Sequence, residues 1–200
     1  MFSNRLGRFA LSAVLSTILM ASTVLAQAAN PKVAIQFAGK GRVVLELYPK
    51  LAPKTVEHFL DLVKKKFYNG IKVHRYVAGF VVQMGDPVSK NLSPAEFDAK
   101  GVGSHGSGTT VPLEADMPQK QGTVGLARAG DPNSGDSQFY FNLANNDQLD
   151  GQYCAFAKVI SGMNVVQKLR VGDRIVSAEL LGLARTRKHP ARKEPSHKVK

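Results

Sequence analysis

The sequence predicts a mainly β fold with two helices, and three observations support this prediction. Short runs rich in β-branched and aromatic residues recur along the chain and are separated by Gly, Pro, Asn and Ser. Only two segments carry apolar residues at helical spacing. The chain has 200 residues, of which 44% are hydrophobic, so it is long enough to bury one substantial core. A closed barrel would remove the exposed strand edges, and we expect that arrangement here.

The first predicted elements are a hairpin and a helix. Residues 32–37 (KVAIQF) and 42–48 (RVVLELY) are strand-like, and a Gly-Lys-Gly turn joins them. Residues 52–67 predict a helix because their apolar side chains share one face. Pro53 suits the first turn of this helix, and the Asn-Gly pair at residues 69–70 suits its end.

The rest of the chain predicts further strands and a second, shorter helix. Residues 72–77 and 80–84 form the next two predicted strands. Residues 86–112 are polar and rich in Gly, Ser and Pro, which indicates a loop excursion. The remaining predicted elements are strands over residues 122–128, 137–143 and 153–160, a short helix containing Met163, Val166 and Leu169, and a closing apolar run over residues 175–183.

The positive charge of the chain is concentrated at its end. Lysine and arginine number 27 against 15 acidic residues, a net charge of +12. Residues 1–28 hold two arginines and no acid, and residues 184–200 hold seven basic residues and one acid, which leaves +4 for residues 29–183. Because residues 184–200 show no apolar periodicity, we expect a disordered tail. We favour a solvated tail over weak contact with an anionic surface, and we expect no specific nucleic-acid partner.

Residues 1–28 have the pattern of a secretory signal peptide. Arg5 and Arg8 precede an apolar run over residues 9–20, and small residues follow, with acceptable cleavage points after Ala26 and after Ala28. The alternative is a transmembrane anchor, but the run is shorter than the roughly 20 residues that a span needs. We therefore expect an exported protein, which is periplasmic in a Gram-negative cell and otherwise secreted.

The usual catalytic and metal-binding patterns are absent from the sequence. The chain has no Walker loop, no G-x-S-x-G and no H-E-x-x-H. Residues 101–106 match G-x-G-x-x-G, but they follow a polar loop instead of a strand, so we do not expect a nucleotide site. The five histidines are scattered, and we expect neither a metal nor a cofactor. Cys154 is the only cysteine, which excludes an internal disulfide, and we expect it to be buried.

One predicted strand carries a cation in an unusual place. The alternation of a strand puts Arg75 on the same face as Val73 and Val77, so we expect its side chain to be directed towards an apolar layer. Other side chains that the same alternation places on shared faces are Val81 with Gln83, and Gln138 with Tyr140 and Asn142. A cation, amides and aromatic groups of this kind suit a shallow pocket that holds no nucleophile or metal.

Four blocks of the sequence resemble the cyclophilin-type peptidyl-prolyl cis-trans isomerases. Residues 73–86 (VHRYVAGFVVQMGD) are similar to the central signature of that family. Residues 122–130 (GTVGLARAG), 133–140 (NSGDSQFY) and 149–158 (LDGQYCAFAK) are similar to its later blocks, in the same order. The resemblance covers residues 31–183 and leaves out the predicted signal peptide and tail.

The resemblance implies a fold, a reaction and a set of site residues. The implied fold is a closed antiparallel eight-stranded β-barrel capped by two α-helices, which we assign to residues 29–183. The implied reaction is rotation about X-Pro bonds, with Arg75 as the catalytic residue. Together with the predicted signal peptide, this predicts proline-containing segments of unfolded or partly folded exported proteins as substrates, and we expect a monomer. The implied substrate-binding residues are Phe80, Val81, Leu149, Tyr140 and Tyr153 around the proline ring, Gln83 and Gln138 as polar neighbours, and Ala127 and Arg128 along the substrate backbone.

The sequence also departs from the family pattern. Val81, Tyr140 and Tyr153 stand where methionine, phenylalanine and histidine are common in the family. Gln148 stands where many members carry a tryptophan that hydrogen-bonds cyclosporin, so we expect weak inhibition by that drug. Two alternatives stay open at this point. In the first, the chain is a non-catalytic chaperone module that binds proline peptides. In the second, Arg75 pairs with a surface acid and the aromatic residues belong to the core.

Overall fold

The computed structural model of the chain describes residues 29–182, and the predicted signal peptide and basic tail lie outside them. This part of the chain contains eight strands and two α-helices, as the sequence predicts. The strands are β1 (Lys32–Phe37), β2 (Gly41–Leu47), β3 (Arg75–Val77), β4 (Val81–Met84), β5 (Thr123–Leu126), β6 (Phe139–Asn142), β7 (Ala155–Ser161) and β8 (Ile175–Leu181). The helices are α1 (Pro53–Lys64) and α2 (Met163–Val166), with short 3-10 helices at Pro87–Asn91, Pro94–Glu96, Asp98–Lys100 and Asp147–Leu149.

The eight strands form one antiparallel sheet that is open. Their order is β3-β4-β6-β5-β7-β2-β1-β8, so β3 and β8 are its two edges. β3 and β8 are not paired with each other in this sheet. The segments before the two edges still meet, since Val73 donates its N–H to the carbonyl of Asp173 over 2.9 Å. The prediction of a closed barrel is therefore wrong, and the sheet is a curled half-barrel.

Helix α1 packs an aromatic side chain against the inner face of the sheet. The ring centroid of Phe59 lies 5.6 Å from that of Phe139 on β6 and 5.0 Å from that of Phe156 on β7. Tyr68, just after the helix, lies 5.1 Å from Phe59 and is buried with it. These large side chains remove apolar surface from water, which is the main force that holds the helix on the sheet.

The start of α1 is fixed by a carboxylate from a distant loop. Glu114 accepts hydrogen bonds from the backbone N–H groups of Lys54 and Thr55, over 3.0 and 2.9 Å. A negative charge at this position satisfies donors that have no partner within the helix and matches the positive end of the helix dipole. Pro53 occupies the first turn, as the sequence predicts.

Several elements are shorter than the sequence predicts. Helix α2 is a single turn of four residues, and the predicted strand over residues 72–77 is regular only at Arg75–Val77. The predicted loop over residues 86–112 contains three of the 3-10 helices. Cys154 is buried as predicted, and burial raises the pKa of its thiol to about 11. Within residues 29–182, no helix has the length and apolar character needed to cross a membrane.

The prediction that Arg75 faces an apolar layer is wrong. Arg75 is exposed, and Val77 on the same face of β3 is 38% exposed. Val73 is fully buried, but it precedes β3 and is covered by the segment that leads into β8. Tyr76, on the opposite face of β3, packs against the core. The short edge strand therefore presents its arginine on the outer face of the sheet.

Candidate active site

A hollow of about 330 Å³ lies on the outer face of the sheet beside Arg75. It brings together nine of the ten site residues that the resemblance implies. The residues that line it are Arg75, Phe80, Val81, Gln83, Ala127, Arg128, Tyr140, Leu149 and Tyr153. The tenth, Gln138, lines a neighbouring groove of about 350 Å³, which shares Gln83, Ala127 and Arg128 with the hollow.

The register of four strands places the central residues of the hollow in one row. Arg75 on β3 is paired with Gln83 on β4, and Gln83 is paired with Tyr140 on β6. Tyr140 is in turn paired with Gly125 on β5. Residues that face each other across antiparallel strands lie on the same side of the sheet. The positions of these side chains therefore follow from the backbone hydrogen bonds of the sheet.

The guanidinium of Arg75 lies at the rim of the hollow. Its Nη1 donates a long hydrogen bond of 3.4 Å to Oε1 of Gln83, and its Cζ lies 5.9 Å from the ring centroid of Phe80. No carboxylate of residues 29–182 lies within 4 Å of it. The alternative in which Arg75 serves only as one half of a surface ion pair finds no partner among these residues.

A chain of amide hydrogen bonds continues from Arg75 towards the loop after β4. Gln83 donates from Nε2 to Oε1 of Gln138 over 2.9 Å. Gln138 donates from its own Nε2 to the carbonyl of His105 over 2.8 Å. Each amide is thereby held in one orientation, so Oε1 of Gln83 faces Arg75 as an acceptor.

The apolar and aromatic wall residues of the hollow are buried or half-buried. Val81 is 2% and Tyr140 is 4% exposed, and the ring of Tyr153 lies edge-on to that of Tyr140 with centroids 6.3 Å apart. Phe80 is half-buried, and its carbonyl accepts hydrogen bonds from Leu143 N–H and from the side chain of Asn146. The wall residues are thus held by backbone and side-chain contacts that do not depend on a ligand.

Gln119 supports the floor of the hollow, a role that no pattern in the sequence indicates. The residue is fully buried, and its Oε1 accepts hydrogen bonds from the Tyr140 hydroxyl over 3.2 Å and from Nδ2 of Asn142 over 2.8 Å. Its Nε2 donates to the carbonyl of Tyr153 over 2.9 Å. Burial raises the pKa of the Tyr140 hydroxyl well above its usual value, so this group stays a donor.

Two carboxylates fix the loop that forms the far wall of the groove. Asp86 is fully buried and accepts hydrogen bonds from the N–H groups of Gly103 and His105, over 2.6 and 3.0 Å. Asp136 accepts hydrogen bonds from the N–H groups of Ser107 and Gly108, over 3.0 and 2.9 Å. Neither role was predicted from the sequence, because bonds from a carboxylate to a distant loop leave no periodic signal.

The backbone at Ala127 and Arg128 is open towards the hollow. Ala127 donates its N–H to the carbonyl of Gln138 over 2.8 Å. Within the described residues, the carbonyl of Ala127 and the N–H of Arg128 have no hydrogen-bond partner. Gln148, the other residue singled out from the sequence, is exposed on the 3-10 helix Asp147–Leu149 and does not line the hollow.

His74 lies behind the rim, next to Arg75 in the chain. Both ring nitrogens are buried and have no hydrogen-bond partner among the described residues. Burial lowers the pKa of His74 to about 4, and the nearby charge of Arg75 acts in the same direction while Asp86 opposes it. The imidazole is therefore neutral at neutral pH and adds no charge beside Arg75.

Known proteins are similar to this chain in sequence. The family model for the cyclophilin-type peptidyl-prolyl cis-trans isomerases matches residues 32–186. The chain is 42% identical over 151 residues to a probable peptidyl-prolyl cis-trans isomerase of Brucella suis, an alignment that covers 74% of this chain and 76% of the relative. It is 38% identical over 143 residues to a peptidyl-prolyl cis-trans isomerase of Helicobacter pylori, with 69% and 80% covered.

Solved structures show the same fold. A cyclophilin-type isomerase of Cryptosporidium parvum has a TM-score of 0.65 at 23% identity, with 76% of this chain and 98% of that chain covered. Its structure in the presence of the dipeptide Ala-Pro has a TM-score of 0.64 at 24% identity, with 76% and 99% covered. These identities establish the fold, while the family model and the curated relatives establish the family. The chain therefore belongs to the cyclophilin-type peptidyl-prolyl cis-trans isomerases.

Proposed function

We propose that Arg75 catalyses rotation about X-Pro bonds by binding the twisted amide, while the hollow beside it holds the proline ring. One observation carries this proposal. An arginine without a carboxylate partner among the described residues lies at the rim of a hollow with apolar and aromatic walls. A cation that is not neutralised and a dry pocket beside it are the two features that the reaction needs.

The reaction needs differential binding and no covalent step. The planar amide resists rotation by about 18–20 kcal/mol, because the nitrogen lone pair is delocalised into the carbonyl. In the twisted state the lone pair is localised on nitrogen, where it accepts a hydrogen bond that the planar amide does not accept. A donor at that position lowers the barrier, because it binds the transition state more tightly than the ground state. Arg75 suits this role because it is always charged and presents several fixed donors.

Arg75 alone does not supply the whole effect. Lowering a barrier of about 20 kcal/mol enough to reach roughly a thousand turnovers per second requires about 7 kcal/mol. One charged hydrogen bond contributes about 1.5–3 kcal/mol. We assign the remainder to the exclusion of water from the hollow and to donors that hold the substrate during rotation.

The other site residues fall into three groups in this proposal. The apolar walls anchor the proline ring through Phe80, Val81, Tyr140, Leu149 and Tyr153. The amides of Gln83 and Gln138 orient the guanidinium, since they form the chain of hydrogen bonds that ends on it. The open backbone groups of Ala127 and Arg128 pair with the backbone of the substrate, as in an added strand.

The substrate and the cellular setting are also part of the proposal. We infer that the substrates are proline-containing segments of exported proteins during folding, because residues 1–28 have the pattern of a signal peptide. The related isomerase whose structure was solved with Ala-Pro supports a proline-containing peptide as ligand. We expect the mature protein to act as a monomer, and its basic tail to contribute at most weak contact with anionic surfaces.

The proposal is tested with the protein lacking residues 1–28 and a short Ala-Pro peptide. NMR exchange spectroscopy measures cis/trans interconversion, which the protein should accelerate and Arg75→Ala should largely remove. Arg42→Ala is the matched control, because Arg42 is exposed on β2, away from the hollow. A peptide that binds without faster exchange would favour the non-catalytic chaperone module instead, and an unchanged exchange rate refutes the proposed catalysis.

A further inference from the structure

We propose that this site prefers proline segments with an acidic side chain next to the proline, and that Arg128 selects that side chain. The inference rests on the proposed function and adds a substrate class to it. It starts from the charges around the hollow, where Arg75 and Arg128 are both part of the lining.

Neither of these two arginines has a carboxylate partner within 4 Å among residues 29–182. Five ion pairs within 4 Å occur in residues 29–182, and each joins a lysine or a histidine to an aspartate. Neither Arg75 nor Arg128 takes part in any of them. The hollow therefore has two positively charged side chains in its lining that pair with no carboxylate of residues 29–182, and positively charged clefts attract anionic groups more strongly than open surface does.

Arg128 is already held in place without a ligand. Its Nε donates to the carbonyl of Gln152 over 3.0 Å, and its Nη1 donates to the carbonyl of Ala129 over 2.9 Å. Its Cζ lies 4.6 Å from the ring centroid of Tyr153, so the guanidinium also stacks on the wall of the hollow. A fixed guanidinium loses little conformational entropy when it binds a carboxylate.

Donor capacity remains on this fixed group. The hydrogen bonds of Arg128 use Nε and Nη1, and Nη2 has no partner among the described residues. Carbonyl oxygens accept these bonds without cancelling the positive charge. An incoming carboxylate therefore finds free N–H groups and an uncompensated cation at the same place.

The position of Arg128 links it to the residue beside the proline. Ala127 and Arg128 line both the hollow and the adjoining groove, so they form the border between the two. With the proline ring in the hollow, the neighbouring residue of the substrate crosses this border on its way along the groove. Its side chain then passes the guanidinium of Arg128.

Asp136, which lines the groove, and the buried Asp86 already accept hydrogen bonds from groups of the protein. Asp136 accepts hydrogen bonds from Ser107 and Gly108, and Nε2 of His58 lies 3.5 Å from its Oδ1. His105 lies against the buried Asp86, with 3.2 Å between Nδ1 and Oδ2. These carboxylates are thus already occupied by donors of the protein, whereas Arg128 is not occupied by any carboxylate.

The test uses two sets of peptides that differ only in one residue beside the proline. This residue is Glu, Gln or Lys, and it precedes the proline in the first set and follows it in the second. NMR titration gives the affinity and exchange spectroscopy gives kcat/KM for each peptide at low salt. In one of the two sets, we expect the Glu peptide to exceed the Gln peptide by roughly three- to tenfold, with the Lys peptide weakest. The Glu-to-Gln ratio should fall as salt is added, because the contact is partly exposed.

Variants of Arg128 are compared through the same ratio, which does not depend on the basal rate. Arg128→Gln should bring the Glu-to-Gln ratio close to one, and Arg128→Lys should keep part of the preference for Glu. Arg128→Glu should make the Lys peptide the strongest and the Glu peptide the weakest. Arg170→Gln is a matched control, because Arg170 also stacks on a tyrosine and donates to carbonyls, but lies outside the hollow. Equal affinity for Glu and Gln peptides in both sets, or a ratio unchanged in Arg128→Gln, overturns the inference. Loss of catalysis on every peptide would instead refute the proposed function, and the affinity ratio would still decide the role of Arg128.

Discussion

The hydroxyl of Tyr140 donates a hydrogen bond of 3.2 Å to Oε1 of Gln119 beneath the floor of the hollow. Gly125, which is paired with Tyr140 across the sheet, provides the room for this hydroxyl, since a Cβ at residue 125 would collide with the end of the tyrosine ring. Many family members carry phenylalanine where this chain has Tyr140. The departure is therefore accommodated by a glycine for space and a buried amide as hydrogen-bond partner.

Replacing Gln119 tests this arrangement. Gln119→Leu removes the acceptor of Tyr140 and Asn142, and it leaves buried polar groups unpaired at a cost of about 1–3 kcal/mol. We expect a lower free energy of unfolding in urea and a lower kcat/KM for proline peptides. The cost of Gln119→Leu should be smaller in a Tyr140→Phe background, because one of the unpaired donors is then gone.

A double-mutant cycle of residues 119 and 140 measures that coupling, which we expect to be on the order of 1 kcal/mol. Ser89→Ala is the control, because Ser89 is also a fully buried hydroxyl with hydrogen bonds but lies away from the hollow. It should lower stability while leaving kcat/KM nearly unchanged. Strictly additive effects of Gln119→Leu and Tyr140→Phe would show that the hydrogen bond contributes nothing.

Gly125 is expected to tolerate no side chain. Gly125→Ala places a methyl group against the ring and hydroxyl of Tyr140, and overpacking of this kind costs about 1–3 kcal/mol. Displacement of the ring should also weaken peptide binding, which titration detects. Gly130→Ala serves as the control, because nothing lies within 4 Å of a Cβ at Gly130. Equal stability of the two variants would contradict the packing that we describe.

Protonation of His74 should weaken the fold in mild acid. Burial holds the pKa of His74 at about 4 in the folded chain, against 6.5 for an unperturbed imidazole. Between these values the unfolded chain binds a proton that the folded chain does not, so stability is fully present above pH 6.5 and is lost as the pH falls to about 4. This difference in pKa corresponds to at most about 3–4 kcal/mol of folding stability.

Urea unfolding at a series of pH values measures this loss, and His74→Gln identifies its source. Asp86, Arg75 and Gln138 are the charged and polar groups that face His74, and they are unchanged in this variant. The pH dependence of its stability between about 4 and 6.5 should be shallower than that of the wild type. Parallel profiles for the two proteins would assign the acid sensitivity to other groups.

Much of the fold and of the site was predictable, for physical reasons that particular residues illustrate. The alternation of β-branched residues in Lys32–Phe37 and the shared apolar face of α1 correspond to burial in the core, so both elements are confirmed. The site residues came from the resemblance, and the register of β3, β4 and β6 places them around one hollow.

The features that the sequence analysis missed depend on contacts between distant residues. Barrel closure depends on whether the edge strands β3 and β8 pair with each other, which no local pattern in either strand reveals. The exposure of Arg75 depends on the position of β3 at the edge of the sheet. Gln119, Asp86 and Asp136 lie in polar stretches without periodicity, so no spacing rule connects them to the groups they bind.

The most direct test of the central claim separates the rate of rotation from the affinity for the peptide. NMR line-shape analysis of an Ala-Pro peptide with wild type and with Arg75→Ala yields kcat and Kd independently. If Arg75 binds the twisted amide, kcat should fall by at least about tenfold while Kd stays nearly the same. If the hydrogen bond from Arg75 contributes about 3 kcal/mol, the fall in kcat should be about a hundredfold. A weaker Kd with an unchanged rate of rotation in the bound peptide would show that Arg75 merely holds the substrate, and it would contradict the mechanism.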